Sequence, residues 1–460
     1  MLCAACVVLS ACAPVGPKYQ RPLAPAPTTW ETPAPFRPGE PKDAVPKGAW
    51  WTVFHDDELA ALEGQALQAN QTLKVAAAQY EQARALAALS LSANYPHVAF
   101  VPSVSSQQIS GTRAGGTGDA TIQNSFVLPL TVSYEVDLFG KRMHSIEAAQ
   151  ASLEASAADT ENVRLIITAE LAADYFTIRR LDSELGILAR TIEAIDKALT
   201  VIRTRHDRGI ASGLDVAQEE TLLAITKTQA TLLRQQREQI ESAIAVLIGQ
   251  PAPGFHLPSR DLSAQAPAID TGLPSDLLER RPDIAEAERL MAVANAKIGI
   301  ARSAYYPSLN LFGSGGWQTA SILKLFDWPS VIWSVGAAAL QDVFDGGAKD
   351  AQLKFAEAGY DATVANYRGA VLRALSEVRD DIQGLGVLNE ASVTQAEAVD
   401  AASRALAIAT SRYNGGLSTA LDVVAAQQIL LNNQRQAVQI DGARLVTTVL
   451  LVKALGGGWK

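Results

Sequence analysis

Beyond residue 12 this chain of 460 residues contains no cysteine. Internal disulfides and cysteine-based metal sites are thereby excluded over nearly the whole sequence. Aromatic residues are scarce, at 6 %, although hydrophobic residues reach 48 %. Alanine makes up much of the difference, and its helix propensity and small size suit long helices packed closely together. No dense Lys/Arg run occurs and the net charge is −9, which argues against nucleic acid as a partner. An acidic surface or lumen that favours cations is the more natural reading of that charge. Catalytic constellations are missing too. His55, His97, His144, His206 and His256 are scattered without metal-ligand spacing. Gly313-Ser314-Gly315-Gly316 lies in a strand pattern with no Lys-Ser/Thr after it, so it is no phosphate loop, and no Gly-x-Ser-x-Gly elbow exists. The expectation is a protein that is no enzyme and carries no cofactor.

What is present begins at the N-terminus. Residues 1–11 form a short apolar run ending in small residues. A spanning helix needs roughly 20 such residues, so the run fits the apolar core of an export signal instead. Leu9-Ser10-Ala11-Cys12 resembles a bacterial lipobox, in which Cys12 would be acylated and become the first mature residue. Ala13 follows it, not the aspartate that favours inner-membrane retention, so outer-membrane anchoring is expected. Residues 12–48 are rich in proline and read as an extended, lipid-anchored strap.

The rest is one plan written twice. Ser92-Ala93-Asn94-Tyr95-Pro96 recurs as Ser303-Ala304-Tyr305-Tyr306-Pro307, and Asp137-Leu138-Phe139 as Asp342-Val343-Phe344. Arg205 to Gly209, with Ser212 and Leu214-Asp215-Val216, recurs 207 residues later as Arg412 to Gly416, with Thr419 and Leu421-Asp422-Val423. Such a long period means a duplicated domain, not a solenoid. The sequence divides into a first repeat over 49–250, a linker over 251–274, a second repeat over 275–455 and a tail over 456–460. Each copy reads helix, strand, strand, long helix, turn, long helix.

From Phe126 to Val136 every even residue is apolar, while the odd positions carry mostly Ser, Thr and Glu. This period of two fits a strand with one face in lipid and one in water, and equally a half-buried soluble strand. Val98 to Ser110 is its expected partner, and Leu309 to Gln318 and Val331 to Gln341 are the counterparts, with Trp317, Trp328 and Trp333 near their ends. Four strands cannot close a barrel, and an open sheet edge is not tolerated in lipid, so spanning strands require several chains to pool them. Met143 to Arg208 is free of proline, and Leu181, Leu185, Leu188, Ile192, Ile195, Leu199 and Ile202 step by four and three. That is the seam of coiled-coil packing. The second copy keeps it more weakly at Leu388, Val399, Ala402, Leu406 and Ala409. Such a helix reaches roughly 95 Å, with a break expected midway.

Leu273-Pro274-Ser275-Asp276-Leu277-Leu278-Glu279-Arg280-Arg281-Pro282-Asp283-Ile284, then Ile298-Gly299-Ile300-Ala301 and Tyr306-Pro307-Ser308-Leu309, resembles the signature of the TolC family. The likeness is strongest to the OprM-like or NodT-like lipoproteins of resistance–nodulation–division (RND) efflux systems. Gly16-Pro17-Lys18-Tyr19 after Cys12, and Trp51-Thr52-Val53-Phe54, are similar to the mature start and first helix of that group. The resemblance implies a mainly α protein with a transmembrane β-barrel portion: a homotrimer whose long coiled-coil helices form an α-barrel, each chain adding four strands to a twelve-stranded barrel. It implies a passive, gated exit duct in the outer membrane that reaches into the periplasm and works with a periplasmic adaptor and an inner-membrane RND pump. A periplasmic coiled-coil scaffold or adaptor lipoprotein without a pore is the alternative. By the same resemblance Asp422 narrows the pore at the periplasmic gate, Ser418 one turn earlier forms a weaker second constriction, and Asp215 is the matching acid of the first tip. Arg412 and Tyr413 latch neighbouring hairpins, and Gly209, Ser212 and Gly416 shape the tips that an adaptor touches. From the residues alone, Asp215 and Asp422 equally suit helix N-terminal caps beside Ser212 and Thr419.

Overall fold

The computed structural model describes residues 14–21, 48–115, 118–267 and 280–457. Cys12 and Leu273 to Glu279 lie outside the described residues. In chain order the regular elements are helices α1 (Asp57–Ala69) and α2 (Gln71–Ser92), strands β1 (His97–Phe100), β2 (Ser103–Ile109) and β3 (Thr121–Val136), and helices α3 (Lys141–Asp207) and α4 (Gly213–Leu247). The second copy supplies α5 (Pro282–Ser303), β4 (Ser308–Thr319), β5 (Val331–Leu340), α6 (Ala348–Asn414) and α7 (Ala420–Ala454). The repeat is preserved to the residue in its helices: α3 and α6 each have 67 residues, α4 and α7 each have 35. The expected break is absent. With no proline between Pro129 and Pro251 or after Pro329, nothing removes a ladder donor and both long helices run through.

Two compact units cut across the repeats. One comprises Met1–Pro22, Tyr80–Ser156 and Ala287–Tyr367; the other comprises Leu23–Gln79, Ala157–Glu286 and Arg368–Lys460. The first unit holds the sheet. All its pairings are antiparallel, in the order β1, β3, β4, β5, with β2 also on β3. Strands β1 and β2 are one line of chain interrupted at Val101-Pro102. Phe100 pairs with Leu130 and Ser103 with Val127, so the register resumes unchanged after the gap. Pro102 has no N–H to offer and Pro129 lies opposite the gap, where its carbonyl accepts from Val101 N–H at 3.2 Å. The four expected strands are therefore five segments in four ladder positions. The end of the strap also belongs to this unit: Val15 N–H donates to the Phe139 carbonyl at 3.1 Å, and Asn295 Nδ2 donates to the Pro17 carbonyl at 2.9 Å.

The second unit holds the main core. Trp50, Phe54, Leu59 and Leu62 pack with Leu171, Tyr175, Phe176 and Ile178 of α3, Ile244 of α4, and Val378, Ile382, Val449 and Val452 of α6 and α7. Asp56 starts α1 by accepting from the N–H groups of Glu58 and Leu59 at 3.0 and 3.1 Å. Along α3 the predicted seam is where the packing is: Leu181, Leu188, Ile195, Leu199 and Ile202 are buried, with Leu185 and Ile192 packed beside them. In α6 only Ala402 of the weaker seam is buried.

Candidate functional site: a one-faced sheet and two capped hairpin turns

Cross-strand partners in an antiparallel pair point to the same face, so the register sorts every side chain of the sheet. Val98 and Phe100 pair with Val132 and Leu130, and Val104 pairs with Phe126. Leu128 pairs with Trp317, Tyr134 with Leu311 and Val136 with Leu309. Val335 and Trp333 stand opposite Gly313 and Gly315, and Val331 opposite Trp317. All these lie on one face, and little of the chain covers it: Phe100 is 59 % exposed, Trp333 79 % and Val335 81 %. The other face is mostly polar: it carries Ser103, Ser105, Gln123, Ser125, Thr131, Ser133, Glu135, Asn310, Ser314, Gln318 and Ser334, with Ser314 and Ser334 hydroxyls 2.8 Å apart, and among them Val127, Phe312, Ile332 and Leu340. An apolar face this extensive and this exposed marks contact with lipid or protein.

The two hairpin turns, both in the helical unit, close alike. Gly209 takes φ +74° and Gly416 φ +71°, the left-handed backbone that favours glycine after a helix. Gly209 N–H donates to the His206 carbonyl and Ile210 N–H to that of Arg205, both at 2.8 Å. Gly416 N–H donates to the Tyr413 carbonyl at 3.0 Å and Leu417 N–H to that of Arg412 at 2.9 Å. The outgoing helix is then capped. Asp215 Oδ2 accepts from both the N–H and the hydroxyl of Ser212 at 2.9 Å, while Asp215 N–H donates to Ser212 Oγ at 3.2 Å. Asp422 Oδ2 accepts from the N–H and hydroxyl of Thr419 at 3.2 and 3.3 Å. Both candidate gate acids thus serve as capping-box residues in the single chain, each at the positive end of a helix. Ile210 and Leu417, repeat mates at the turns, are each 74 % exposed.

The candidate residues come together in part. The Arg205 guanidinium lies 5.0 Å from the centre of the Tyr413 ring, so a cation–π contact joins the two turns. Arg412 remains exposed, and Ser418 Oγ is buried with no hydrogen-bond partner among the described residues. Sequence reading missed Arg205 as the partner of Tyr413, although it is the repeat mate of Arg412. It also missed Glu219 on α4, which is 1 % exposed. The signal was available: Glu219 lies between Val216 and Leu223 at helical spacing, an acid on an apolar stripe. Beside it, Leu214, Ala217, Leu222 and Ile225 of α4 and Leu421 and Val424 of α7 line a groove of about 530 Å³.

A family model described as outer membrane efflux protein matches residues 62–250 and 273–457. The chain is 33 % identical to the pyoverdine export outer membrane protein OpmQ of Pseudomonas aeruginosa over 469 residues, covering 100 % of this chain and 96 % of that one. It is 32 % identical to the toluene efflux pump outer membrane protein TtgF of Pseudomonas putida, over 98 % of this chain and 95 % of the relative. Among solved structures, the outer-membrane channel OprN superposes with a TM-score of 0.90 at 29 % identity, covering 97 % of this chain and 99 % of that one.

Proposed function

This chain belongs to the outer membrane efflux protein family, and we propose that three copies of it form a passive, gated exit duct of a tripartite RND efflux system. The observation that carries this reading is the sheet: one face apolar and exposed, the other mostly polar, and β5 and the β1–β2 line at its edges. In lipid such edges must be paired, and closing the sheet with copies of itself satisfies them. Three copies of four ladder positions make a twelve-stranded barrel with the apolar face outward and the polar face around water. The polar face also disfavours a scaffold without a pore, which has no use for a water-lined sheet.

The strap supports the lipid anchor. Val15 is tied to Phe139, just beyond the end of β3, and Cys12 precedes it by three residues. An acyl chain on Cys12 would therefore enter the membrane close to where the strand leaves it. The exposed Ile210 and Leu417 at the turns suit docking of a periplasmic adaptor, and cargo would be chosen by the pump. OpmQ is named for pyoverdine export and TtgF for toluene efflux; small organic molecules are the class of cargo we assign to this duct. Asp422, with Asp215 and Ser418, would narrow the inner end: three capped carboxylates at one level repel anions and attract cations.

Single-channel conductance of the purified protein in planar bilayers tests this. We expect small, cation-selective steps in wild type and larger or less selective steps in Asp422→Ala. An unchanged mutant would keep the duct and remove the gate from Asp422. Folded, heat-resistant oligomers that conduct in neither form would overturn the duct.

A further inference from the structure

Four of the buried side-chain oxygens or nitrogens that lack a hydrogen-bond partner among the described residues gather next to the two turns: Gln218 Oε1, Glu219 Oε1, Ser418 Oγ and Gln427 Oε1. Buried polar atoms are ordinarily satisfied, and each orphan weakens the packing around it. The end of the hairpin pair is therefore built less stably than its middle, where Leu181, Leu188 and Leu431 make an apolar cluster. Glu219 stands out among the four because it titrates. It lies one turn before Leu222 and Leu223, which pack with Ile195 and Leu199 of α3 and with Val216 and Val424. Its repeat mate is Ala426, also buried, so the packing at this level does not need a carboxyl.

We propose that Glu219 is a protonation-controlled latch for the inner end of the duct: neutral, it lets the hairpins pack; ionised, it loosens them. The proposal rests on the duct reading and adds to it a second group, distinct from the Asp422 constriction. No charge compensates Glu219 in place. On α3, Lys197 is paired with Glu193 at 2.6 Å, and Arg203 is paired with Glu220 of α4 at 2.6 Å. On α4, Asp215 is engaged by Ser212. On α6, Arg404 pairs with Asp400 and Arg412 lies at the turn; on α7 no acid or base stands between Asp422 and Arg435. Burial alone pushes the Glu219 carboxyl up, to about 7. The sign follows. A carboxyl whose packed value is raised keeps the packing fully stable at acid pH. Stability then falls as pH climbs from the ordinary carboxylate range to about 7, and changes no further above it. The latch is shut in an acidified periplasm and released near neutrality.

The test compares wild type with Glu219→Gln, which mimics the neutral acid, and with Glu219→Leu in case the amide folds poorly. Conductance is recorded from pH 5 to 8, and cleavage at the turns is timed with a protease active from pH 5.5 to 8. Each rate is taken relative to the variant at the same pH, so the protease's own pH dependence cancels. We expect wild-type conductance to rise with pH while both variants stay flat. Relative cleavage should rise about tenfold or more across the range. Asp422→Ala should keep the wild-type pH profile, since it leaves the latch in place. Parallel profiles in wild type and both variants would overturn the latch and leave the duct standing. Should no form conduct, the duct fails, and the cleavage ratio still decides the latch: a ratio independent of pH overturns it.

Discussion

Glu63 of the helical unit is a fully buried acid, 0 % exposed, with no partner on either oxygen among the described residues. Burial pushes its carboxyl up to about 9, so it is neutral in the folded protein at ordinary pH. Its contribution is therefore largest in acid and is lost as pH rises from the ordinary carboxylate range toward 9. Because a buried, unsatisfied polar group is worse than an apolar one of similar size, Glu63→Leu should raise stability by about 1–2 kcal/mol. It should also flatten the fall in melting temperature between pH 5 and 9. A melt lower than wild type at pH 8 would mean that Glu63 has a partner in the assembled protein. At this scale the sequence was only half legible. The caps at Asp215 and Asp422 follow from Ser and Thr three residues earlier, a local rule. Glu63 and Glu219 escaped because their burial depends on what another helix lays over them.

Among the elements, the long helices were the most legible and the strands the least. The seam from Leu181 to Ile202 follows from side-chain spacing alone, and five of its seven residues are buried. The interruption at Val101-Pro102 was not foreseen, because it needs Pro102 and Pro129 set one residue out of step across a register that only the folded sheet fixes. The same pairing makes Gly316 irreplaceable. It stands opposite Pro129, and a Cβ there would lie 2.0 Å from the Leu128 carbonyl oxygen and 2.9 Å from Pro129 Cα. Backbone atoms cannot step aside, so Gly316→Ala should split β3 from β4 and sharply reduce heat-resistant oligomers on gels. Gly315→Ala, with nothing within 4 Å, should leave them intact. Equal oligomer yields would show that the sheet closes on another register. At the turns, Ser212→Ala removes the hydroxyl partner of the Asp215 N–H and should lower thermal stability by about 1 kcal/mol.

For the whole molecule, alternation in one strand could not separate a lipid-facing sheet from a soluble one. The folded register does more: strands from both repeats bring most of their large apolar residues to a single face, leaving only a few such as Val127, Phe312, Ile332 and Leu340 on the other, which no one strand reveals. That face gives the duct reading its sharpest consequence. Trp333 and Ser334 are neighbours on β5 with opposite orientations, Trp333 on the apolar face and Ser334 on the polar one. In a lipid-embedded barrel an arginine facing hydrocarbon costs about 2–4 kcal/mol at midplane and less toward the interfaces, where Trp333 near the start of β5 would lie, whereas one facing the water-filled interior costs least. Trp333→Arg should therefore reduce outer-membrane insertion, Ser334→Arg should keep it while shifting the conductance toward anions, and Trp333→Leu should resemble wild type. Were the apolar face turned to protein instead of lipid, Trp333→Leu would fail as well. Were the faces exchanged, the two arginine variants would trade places, and the polar face would no longer be the path of the cargo.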